Sequence, residues 1–218
     1  MGPRKDLAAL AGIVAPVVFG LGIVALTVAQ YDYMTGLGWR PFDDSSGVPW
    51  PSGLALGPLG FLQVANFVLF GVLLVFFALG LHRGVAPGAR GSKAGPALLM
   101  VAGFAMVLAG FETDPDISDG PQTWHGLIHG LAYLLFVFSL LPAFFVLWRR
   151  LRRRDPHWRG YDLFTLITGI LYVLLFFVSG AVAFYLFLAL VLVWIEVMAL
   201  RLRALTVGAP AGRTAPAN

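Results

Sequence analysis

The sequence predicts an all-α fold: a polytopic membrane protein built as a bundle of six transmembrane helices. Hydrophobic residues make up 59% of the 218 residues and charged residues only 12%, and the mean hydropathy is +0.83. A soluble domain of this length cannot bury so much apolar surface, so part of its surroundings must be lipid. Only helices and closed barrels satisfy their backbone polar groups in lipid. The apolar runs are long and continuous rather than alternating, which favours helices.

Six apolar runs predict the six helices. They cover approximately residues 7–30, 54–81, 95–111, 121–147, 161–179 and 182–200. Pro121 stands at the first position of the fourth run, where proline is favoured in helices. A tight turn at Gly180 joins the last two runs. We expect one domain over residues 1–206, followed by a disordered C-terminal tail at 207–218.

The basic residues orient the predicted bundle. All but one of the 15 Lys and Arg residues fall at one side, and only Arg40 falls at the other. By the positive-inside rule this asymmetry predicts that both termini are cytoplasmic. The arginine-rich segment 148–160 is first a determinant of topology, and we expect it also to bind anionic lipid head groups. Because the basic residues follow the loops of a membrane bundle, a nucleic-acid partner is not predicted.

Polar side chains gather at the opposite, outward-facing side. The stretch 111–130 carries four acidic residues and two histidines: Glu112, Asp114, Asp116, Asp119, His125 and His129. The histidines are four residues apart and therefore share one helical face, which Tyr133 continues. Gln63 and Asn66 reach a similar depth on the second helix. Polar groups at this depth normally face the bundle interior, so the sequence predicts a polar mouth open to the outside.

Two interpretations of this mouth remain open. In the first, His125, His129 and a carboxylate of Glu112 or Asp114 bind zinc, and a zinc-bound water attacks an ester or amide of a lipid head group. In the second, the acids lie at the positive N-terminus of the fourth helix, and the histidines hydrogen-bond amide side chains or backbone carbonyls. No third histidine falls on the outer side, so binding of a lipid-like or small polar ligand is favoured, with a zinc-dependent membrane hydrolase as the alternative.

Other features of the outer side are weaker signals. The serines there, Ser46, Ser52 and Ser118, lack a nucleophile-elbow signature, so a Ser/His/Asp hydrolase is not predicted. Gly126 and Gly130 form a pair of small residues that is expected to let another backbone approach closely. The chain contains no cysteine, which excludes thiolate ligands and a cysteine nucleophile.

Two further segments carry expectations about packing. The outer loop 31–53 is rich in aromatic residues, which favours an aromatic belt at the head groups, with a lid over the bundle mouth as the alternative. Glu196 is the one acid deep in an apolar run. We expect it to pair with an arginine of the cytoplasmic side or with His82.

Three pieces of the sequence resemble a known family. They are WPSGLALGPLGFLQVANFVLFG (50–71), ALGLHR (78–83), and GFETDP followed by HGLIHG (110–115 and 125–130). Together they are similar to a bacterial membrane-protein family catalogued as domain of unknown function 998. The resemblance implies a six-helix protein of the bacterial cytoplasmic (inner) membrane with a polar, outward-facing mouth. It implies no activity, substrate or cofactor.

Overall fold

The computed structural model describes residues 3–43, 47–85, 93–152, 156–178 and 180–207. These residues form helices and connecting segments, with no β-strand among them. The α-helices are α1 (Pro3–Ala29), α2 (Tyr31–Gly36), α3 (Gly60–Gly84), α4 (Ala94–Leu108), α5 (Trp124–Arg152), α6 (Tyr161–Phe176) and α7 (Ala181–Val207). Two 3₁₀ helices, Ser52–Leu56 and Pro156–Trp158, lie in the connections. The predicted tail lies outside the described residues, apart from Val207, which ends α7.

Four of the six long helices, α1, α3, α5 and α7, are long and apolar enough to cross a membrane. The other two, α4 and α6, have 15 and 16 residues. At 1.5 Å per residue they are roughly 22 and 24 Å long, shorter than the roughly 30 Å hydrocarbon core of a bilayer. The described helices therefore make this a multi-pass membrane protein.

Two predicted helix starts are wrong. The second long helix begins at Gly60 and not at Leu54, because the chain turns back at Gly57, whose carbonyl accepts the N–H of Gly60 at 2.8 Å. The fourth begins at Trp124 and not at Pro121. Thr123 precedes it as a cap, and its hydroxyl accepts the N–H of Gly126 at 3.1 Å.

The six long helices form a closed ring in which each packs against its neighbours in chain order. α1 contacts α3, α3 contacts α4, and so on to α7, which packs back against α1. The backbones of α3 and α4 approach closely at Gly71 and Gly103, where a Cβ on either glycine would collide with the carbonyl oxygen of the other. The interior of the ring is filled by buried apolar side chains such as Leu74, Phe77 and Trp194.

The outside of the ring is apolar as well. Large apolar side chains are exposed along the described helices, among them Leu21, Val24, Phe76, Phe104, Phe138 and Leu174. In water an apolar surface of this extent would be an aggregation site. It suits the lipid tails of a membrane.

The bundle has two chemically different ends. The acidic end comprises residues 30–59, 109–123 and 177–181, and the basic end comprises residues 82–94, 148–161 and 201–207, each as far as described. Described acids at the first include Asp32, Glu112, Asp114, Asp116 and Asp119, and described cations at the second include Arg83, Arg149, Arg150, Arg152 and Arg201.

The expected pairing of Glu196 with a cytoplasmic-side arginine or with His82 is wrong. His82 is bonded instead to Arg150, whose Nη2 lies 3.1 Å from its Nδ1 and 2.9 Å from its carbonyl oxygen. The buried oxygen Oε2 of Glu196 has no hydrogen-bond partner among the described residues. Glu196 lies five residues, or about one and a half turns, before Arg201 in α7.

Candidate functional site

A segment of the chain inserts into the acidic end of the bundle. This mouth segment (residues 47–59) contains the 3₁₀ helix Ser52–Leu56, in which Gly53, Leu54 and Ala55 are buried. Backbone N–H and C=O groups buried in an apolar bundle need hydrogen-bond partners. Polar side chains of the surrounding helices supply them.

The far side of the mouth segment is held by α1 and α2. The side-chain amide of Gln30 donates to the carbonyl of Leu54 at 3.0 Å, and its oxygen accepts the N–H of Leu59 at 2.9 Å. The hydroxyl of Tyr33 donates to the carbonyl of Leu56 at 2.9 Å. Gln30 thus satisfies two backbone groups at once.

Of the two predicted polar residues of the second long helix, Gln63 holds the same segment and Asn66 supports Gln63. Gln63 is buried, and its amide lies 3.4 Å from the carbonyl oxygen of Pro51 as a donor. The amide of Asn66 donates to the carbonyl of Phe19 at 3.1 Å and contacts the side-chain oxygen of Gln63 at 3.4 Å. Gln63 and Asn66 therefore face the interior and bind protein backbone.

His129 reaches the mouth segment from the other side. It is buried, with 8% of its surface exposed. Its Nε2 lies 2.8 Å from the hydroxyl oxygen of Ser52, and its Nδ1 lies 2.8 Å from the carbonyl oxygen of Phe111. A carbonyl only accepts, so Nδ1 carries the proton and Nε2 of the neutral ring accepts from Ser52. Gln63 bonds Pro51 and His129 bonds Ser52. These two predicted residues therefore bind adjacent residues of the mouth segment.

Asp114 caps helix α5. Its carboxylate accepts the hydroxyl of Thr123 at 2.5 Å and the N–H of Gln122 at 2.8 Å. These hydrogen bonds, that of Thr123 first, hold the pKa of Asp114 below its ordinary value. A Cβ at Gly126 would collide with this carboxylate, so the glycine makes room for the cap. The expectation that Gly126 and Gly130 admit another helix backbone is wrong, because a Cβ at Gly130 would meet only a side-chain atom of Pro121, at 4.0 Å.

The remaining predicted residues lie further out. Nδ1 of His125 is 3.1 Å from the carbonyl oxygen of Glu112 and 3.0 Å from the hydroxyl of Thr123. The side chain of Glu112 is exposed. Asp116 accepts the N–H of Ser118 at 2.8 Å, and this bond lowers the pKa of Asp116. Each histidine thus holds a backbone carbonyl between α4 and α5.

The predicted zinc set is not assembled in this arrangement. Among the described residues no group of three or more His, Asp or Glu side chains is placed to hold a metal ion. The physical reason is that each member has other partners: Asp114 turns toward the start of α5, and His129 toward Ser52 and Phe111. The hydrogen bonds of Asp114 and of the two histidines are those of the second interpretation, whereas Glu112 is exposed and Asp116 bonds the N–H of Ser118.

A cavity of about 610 Å³ opens beside the mouth segment. Its polar lining residues are Ser52, Thr113, Asp114, His129 and Tyr133. The rest of the wall is apolar or glycine: Pro49, Trp50, Ile117, Gly120, Pro121, Gly126, Leu127, Gly130, Leu131, Leu134 and Phe184. Three predicted ligand-binding residues, Asp114, His129 and Tyr133, therefore line it. Gln63, Asn66, Glu112 and His125 are not part of its described wall.

A smaller cavity of about 70 Å³ reaches deeper into the ring, between phenylalanines of α1, α3, α5 and α7. Ser52, His129, Tyr133 and Phe184 line both cavities. The hydrogen-bonded pair of Ser52 and His129 thus stands where the two spaces meet. Trp50 of the aromatic loop lines the larger cavity and stacks on the buried Trp39, with ring centroids 6.4 Å apart.

Sequence reasoning missed Ser52 and Gln30 as members of this site. Gln30 had a usable signal, because a polar residue ending an apolar run must find a partner. Ser52 had none, since its partner lies 77 residues away in the chain.

An apolar outer surface and helices long enough to span a membrane define the class as an integral membrane protein. The chain matches the family model described as protein of unknown function (DUF998) over residues 50–203. This range is more than half of the 218 residues, so the chain belongs to that family, as the resemblance implied. No curated protein and no solved structure matches the chain.

Proposed function

We propose that this protein binds a lipid-like amphiphile at its acidic end. The observation that carries the proposal is the cavity of about 610 Å³ beside the mouth segment. Its volume lies in the range of small-molecule sites, and a mostly apolar wall with a few polar groups is the usual composition of such sites. A molecule with an apolar chain and a polar head matches that wall.

The apolar chain enters from the lipid. Leu127, Leu131 and Leu134 line the cavity and are at the same time exposed on the outer surface of α5. Spaced three to four residues apart, they form one stripe along the helix. An acyl chain lying on this stripe stays in apolar surroundings from the bilayer to the cavity.

The polar head lies near Thr113, Asp114 and Ser52. Asp114 is held as a carboxylate by its hydrogen bonds, which lower its pKa. A negative charge in the wall repels an anionic head group. The expected ligand therefore has an uncharged or zwitterionic head.

The test fills the cavity from Gly130. A Cβ there meets its nearest heavy atom only at 4.0 Å, so a larger side chain extends into the space without a clash. We expect Gly130→Leu to weaken binding of palmitoyl-lysophosphatidylethanolamine by about tenfold or more, a loss of about 1.4 kcal/mol. Native mass spectrometry of the protein in lipid nanodiscs measures the bound lysolipid.

Gly36→Leu is the matched control. Nothing lies within 4 Å of a Cβ at Gly36, and this residue is at the acidic end but outside the cavity wall. Gly36→Leu should bind the zwitterionic lysolipid as well as the native chain does. Both proteins should bind the anionic palmitoyl-lysophosphatidylglycerol more weakly than the zwitterionic lipid. Equal binding by the native chain and Gly130→Leu would contradict the proposal.

For the membrane arrangement, we propose that all six long helices cross the bacterial inner membrane with both termini in the cytoplasm. The support is that Lys and Arg are concentrated at the basic end, as the positive-inside rule requires of cytoplasmic loops. α4 and α6 then span by local thinning of the bilayer. Reporter fusions after Gly120 and after Arg154 should report opposite sides, and the same side for both would contradict this arrangement.

At the basic end we propose contacts with anionic lipid head groups. Arg149, Arg152 and Arg159 are exposed there. Each exposed cation near an anionic leaflet contributes about 1 kcal/mol of attraction. These contacts orient and anchor the bundle, and they are separate from the cavity.

A further inference from the structure

We propose that Ser52 and His129 form a nucleophile–base pair that cleaves a carboxylic ester of an amphiphile bound in the cavity. The inference rests on the proposed binding function and adds chemistry to it. It comes from the geometry of two side chains 77 residues apart, and no sequence motif marks it.

The hydrogen bonds of His129 position it as a base toward Ser52. Its Nδ1 donates to the carbonyl of Phe111 at 2.8 Å, which leaves the lone pair of Nε2 directed at Ser52, 2.8 Å away. A base within hydrogen-bond reach of a hydroxyl, and itself oriented by a third group, is the signature of an activated nucleophile. Here a backbone carbonyl fixes the tautomer, the task a carboxylate performs in serine hydrolases.

Hydrogen bonds to the neighbouring backbone support Ser52. The residue begins the 3₁₀ helix of the mouth segment, and the carbonyls on both sides of it are bound by buried amides: Pro51 by Gln63 and Leu54 by Gln30. The N–H of Gly53 also bonds the carbonyl of Pro49 at 2.6 Å. A reacting side chain needs a backbone held in this way, because small displacements of the nucleophile cost large factors in rate.

Ser52 is half-buried and lines both cavities. A bound ester can therefore place its carbonyl carbon at Ser52 while its apolar chain lies along Leu131 and Leu134. Tyr133 lines the same two cavities.

The reaction proceeds in two halves. Oγ of Ser52 bonds to the ester carbonyl carbon, its proton passes to Nε2 of His129, and the carbonyl electron pair moves to oxygen. The tetrahedral adduct collapses, the bond to the alcohol oxygen breaks, and the alcohol leaves with the proton from Nε2. Water then attacks the acyl carbonyl carbon while its proton passes to Nε2 of His129. The second adduct collapses, the bond to Oγ of Ser52 breaks, and Nε2 returns the proton to Oγ, which leaves a carboxylic acid and the free serine.

The direct test is covalent labelling of the full chain in nanodiscs with a fluorophosphonate probe. We expect one labelled residue, identified as Ser52 by peptide mass spectrometry, and loss of label in Ser52→Ala. Hydrolysis of p-nitrophenyl octanoate should fall to the background rate in the same variant. Ser118→Ala is the matched control, because Ser118 is an exposed serine of the acidic end outside the cavity wall, and it should retain both signals.

A second test separates chemistry from a purely structural hydrogen bond. The chain has no cysteine, so Ser52→Cys contains one thiol. Paired with an imidazole, this thiol should react with iodoacetamide about tenfold faster than that of Ser118→Cys at neutral pH. Adding His129→Gln to Ser52→Cys should remove the advantage. Equal reactivity with and without His129 would overturn its role as the base.

Binding of an ether-linked lysophospholipid, which has no ester to cleave, distinguishes the two proposals. Ether-lipid binding that persists in Ser52→Ala, together with loss of labelling, supports both. Ether-lipid binding by a native chain that neither labels nor hydrolyses the ester overturns the catalytic pair and leaves the binding function intact. A native chain that does not bind the ether lipid overturns the binding function itself.

Discussion

The two ends of the bundle each contain a short 3₁₀ helix, and they hold it by different chemistry. At the acidic end, Ser52–Leu56 is held by neutral side chains that are themselves buried, Gln30 and Gln63. At the basic end, Pro156–Trp158 is held by Arg201, whose Nε donates to the carbonyl of His157 at 2.9 Å at an exposed position. A hydrogen-bonded amide can leave water at small cost, whereas the guanidinium of Arg201 keeps its charge near water. Neutral amides can therefore hold the buried backbone of the mouth segment at the acidic end.

The same contrast appears in the two tryptophans beside these helices. Trp158 is fully buried and lies edge-on to Tyr161, with ring centroids 6.1 Å apart. Trp50 is only half-buried and lines the cavity of about 610 Å³. The basic end thus buries only the tryptophan of its 3₁₀ helix and leaves Pro156 and His157 exposed, while the acidic end buries the backbone of its 3₁₀ helix and leaves a cavity beside it.

The largest expected effect comes from removing the hydrogen bonds of Gln30 to the mouth segment at the acidic end. Gln30→Leu removes the partners of the buried carbonyl of Leu54 and of the partly buried N–H of Leu59. A buried polar group left without a partner costs about 1–3 kcal/mol. We therefore expect a loss of several kcal/mol in the free energy of unfolding, measured by titration with SDS in mixed micelles.

Arg201→Met is the corresponding change at the basic end. The carbonyl of His157 remains accessible to water there, so we expect a loss within about 1 kcal/mol. A loss as large as that of Gln30→Leu would mean that the exposed hydrogen bond of Arg201 stabilises the fold as much as the hydrogen bonds of Gln30. That result would contradict the proposed difference between the two ends.

The long helices could be predicted from the sequence, and the mouth segment could not. Continuous apolar runs indicate helices because backbone in lipid has no other partner, and all six runs contain one. The run that begins at Leu54 misled the prediction because its first residues are apolar for another reason. They are buried as part of an inserted loop, and the helix starts only at Gly60.

The candidate site was predictable only in part. The depth of Gln63 and His129 follows from helical periodicity, so their interior position could be expected, whereas Tyr133 on the same face as His129 is exposed. Their partners could not, because Pro51 and Ser52 reach them through a fold of the intervening loop. The sequence left open whether Asp114 binds zinc or lies at the N-terminus of a helix. The hydrogen bond from Thr123 to Asp114, which favours the second interpretation, could not be predicted from the sequence.

Asp114→Asn should have a smaller, pH-dependent effect at the acidic end. The folded-state pKa of Asp114 is lowered below 3.8, first by the hydroxyl of Thr123. A lowered pKa stabilises the fold above the unfolded-state value, and this contribution is lost as pH falls through the folded-state value. Asp114→Asn should thus destabilise the protein at neutral pH, and the difference should vanish well below pH 3.8.

Unfolding titrations at the two pH values measure this difference. Asp119→Asn, an exposed acid of the same loop, is the control and should not change the unfolding free energy at either pH. A difference between the native chain and Asp114→Asn that persists unchanged in acid would show that the charge of the carboxylate is not what caps α5.

A still smaller effect is expected for His125→Ala, which sharpens the distinction between hydrogen bonding and metal binding at the acidic end. The change removes the exposed contacts of Nδ1 with the carbonyl of Glu112 and the hydroxyl of Thr123, so we expect a loss of about 0.5 kcal/mol. Elemental analysis of the purified native chain should give no stoichiometric zinc. About one zinc per chain, lost in both His125→Ala and His129→Ala, would restore the zinc set with Asp114.

The smallest expected effect is Arg149→Gln at the basic end. Arg149 is exposed, and a single cation near an anionic leaflet contributes about 1 kcal/mol, or about fivefold in affinity. Binding to phosphatidylglycerol should weaken by about that factor in a nanodisc competition assay, and the unfolding free energy should not change.

Arg150→Gln is the control. Arg150 is buried and donates to the carbonyl of His82 at 2.9 Å, so Arg150→Gln should instead destabilise the fold. Equal effects of the two changes on lipid binding would contradict the division between exposed and structural arginines, because only an exposed guanidinium can reach the head groups.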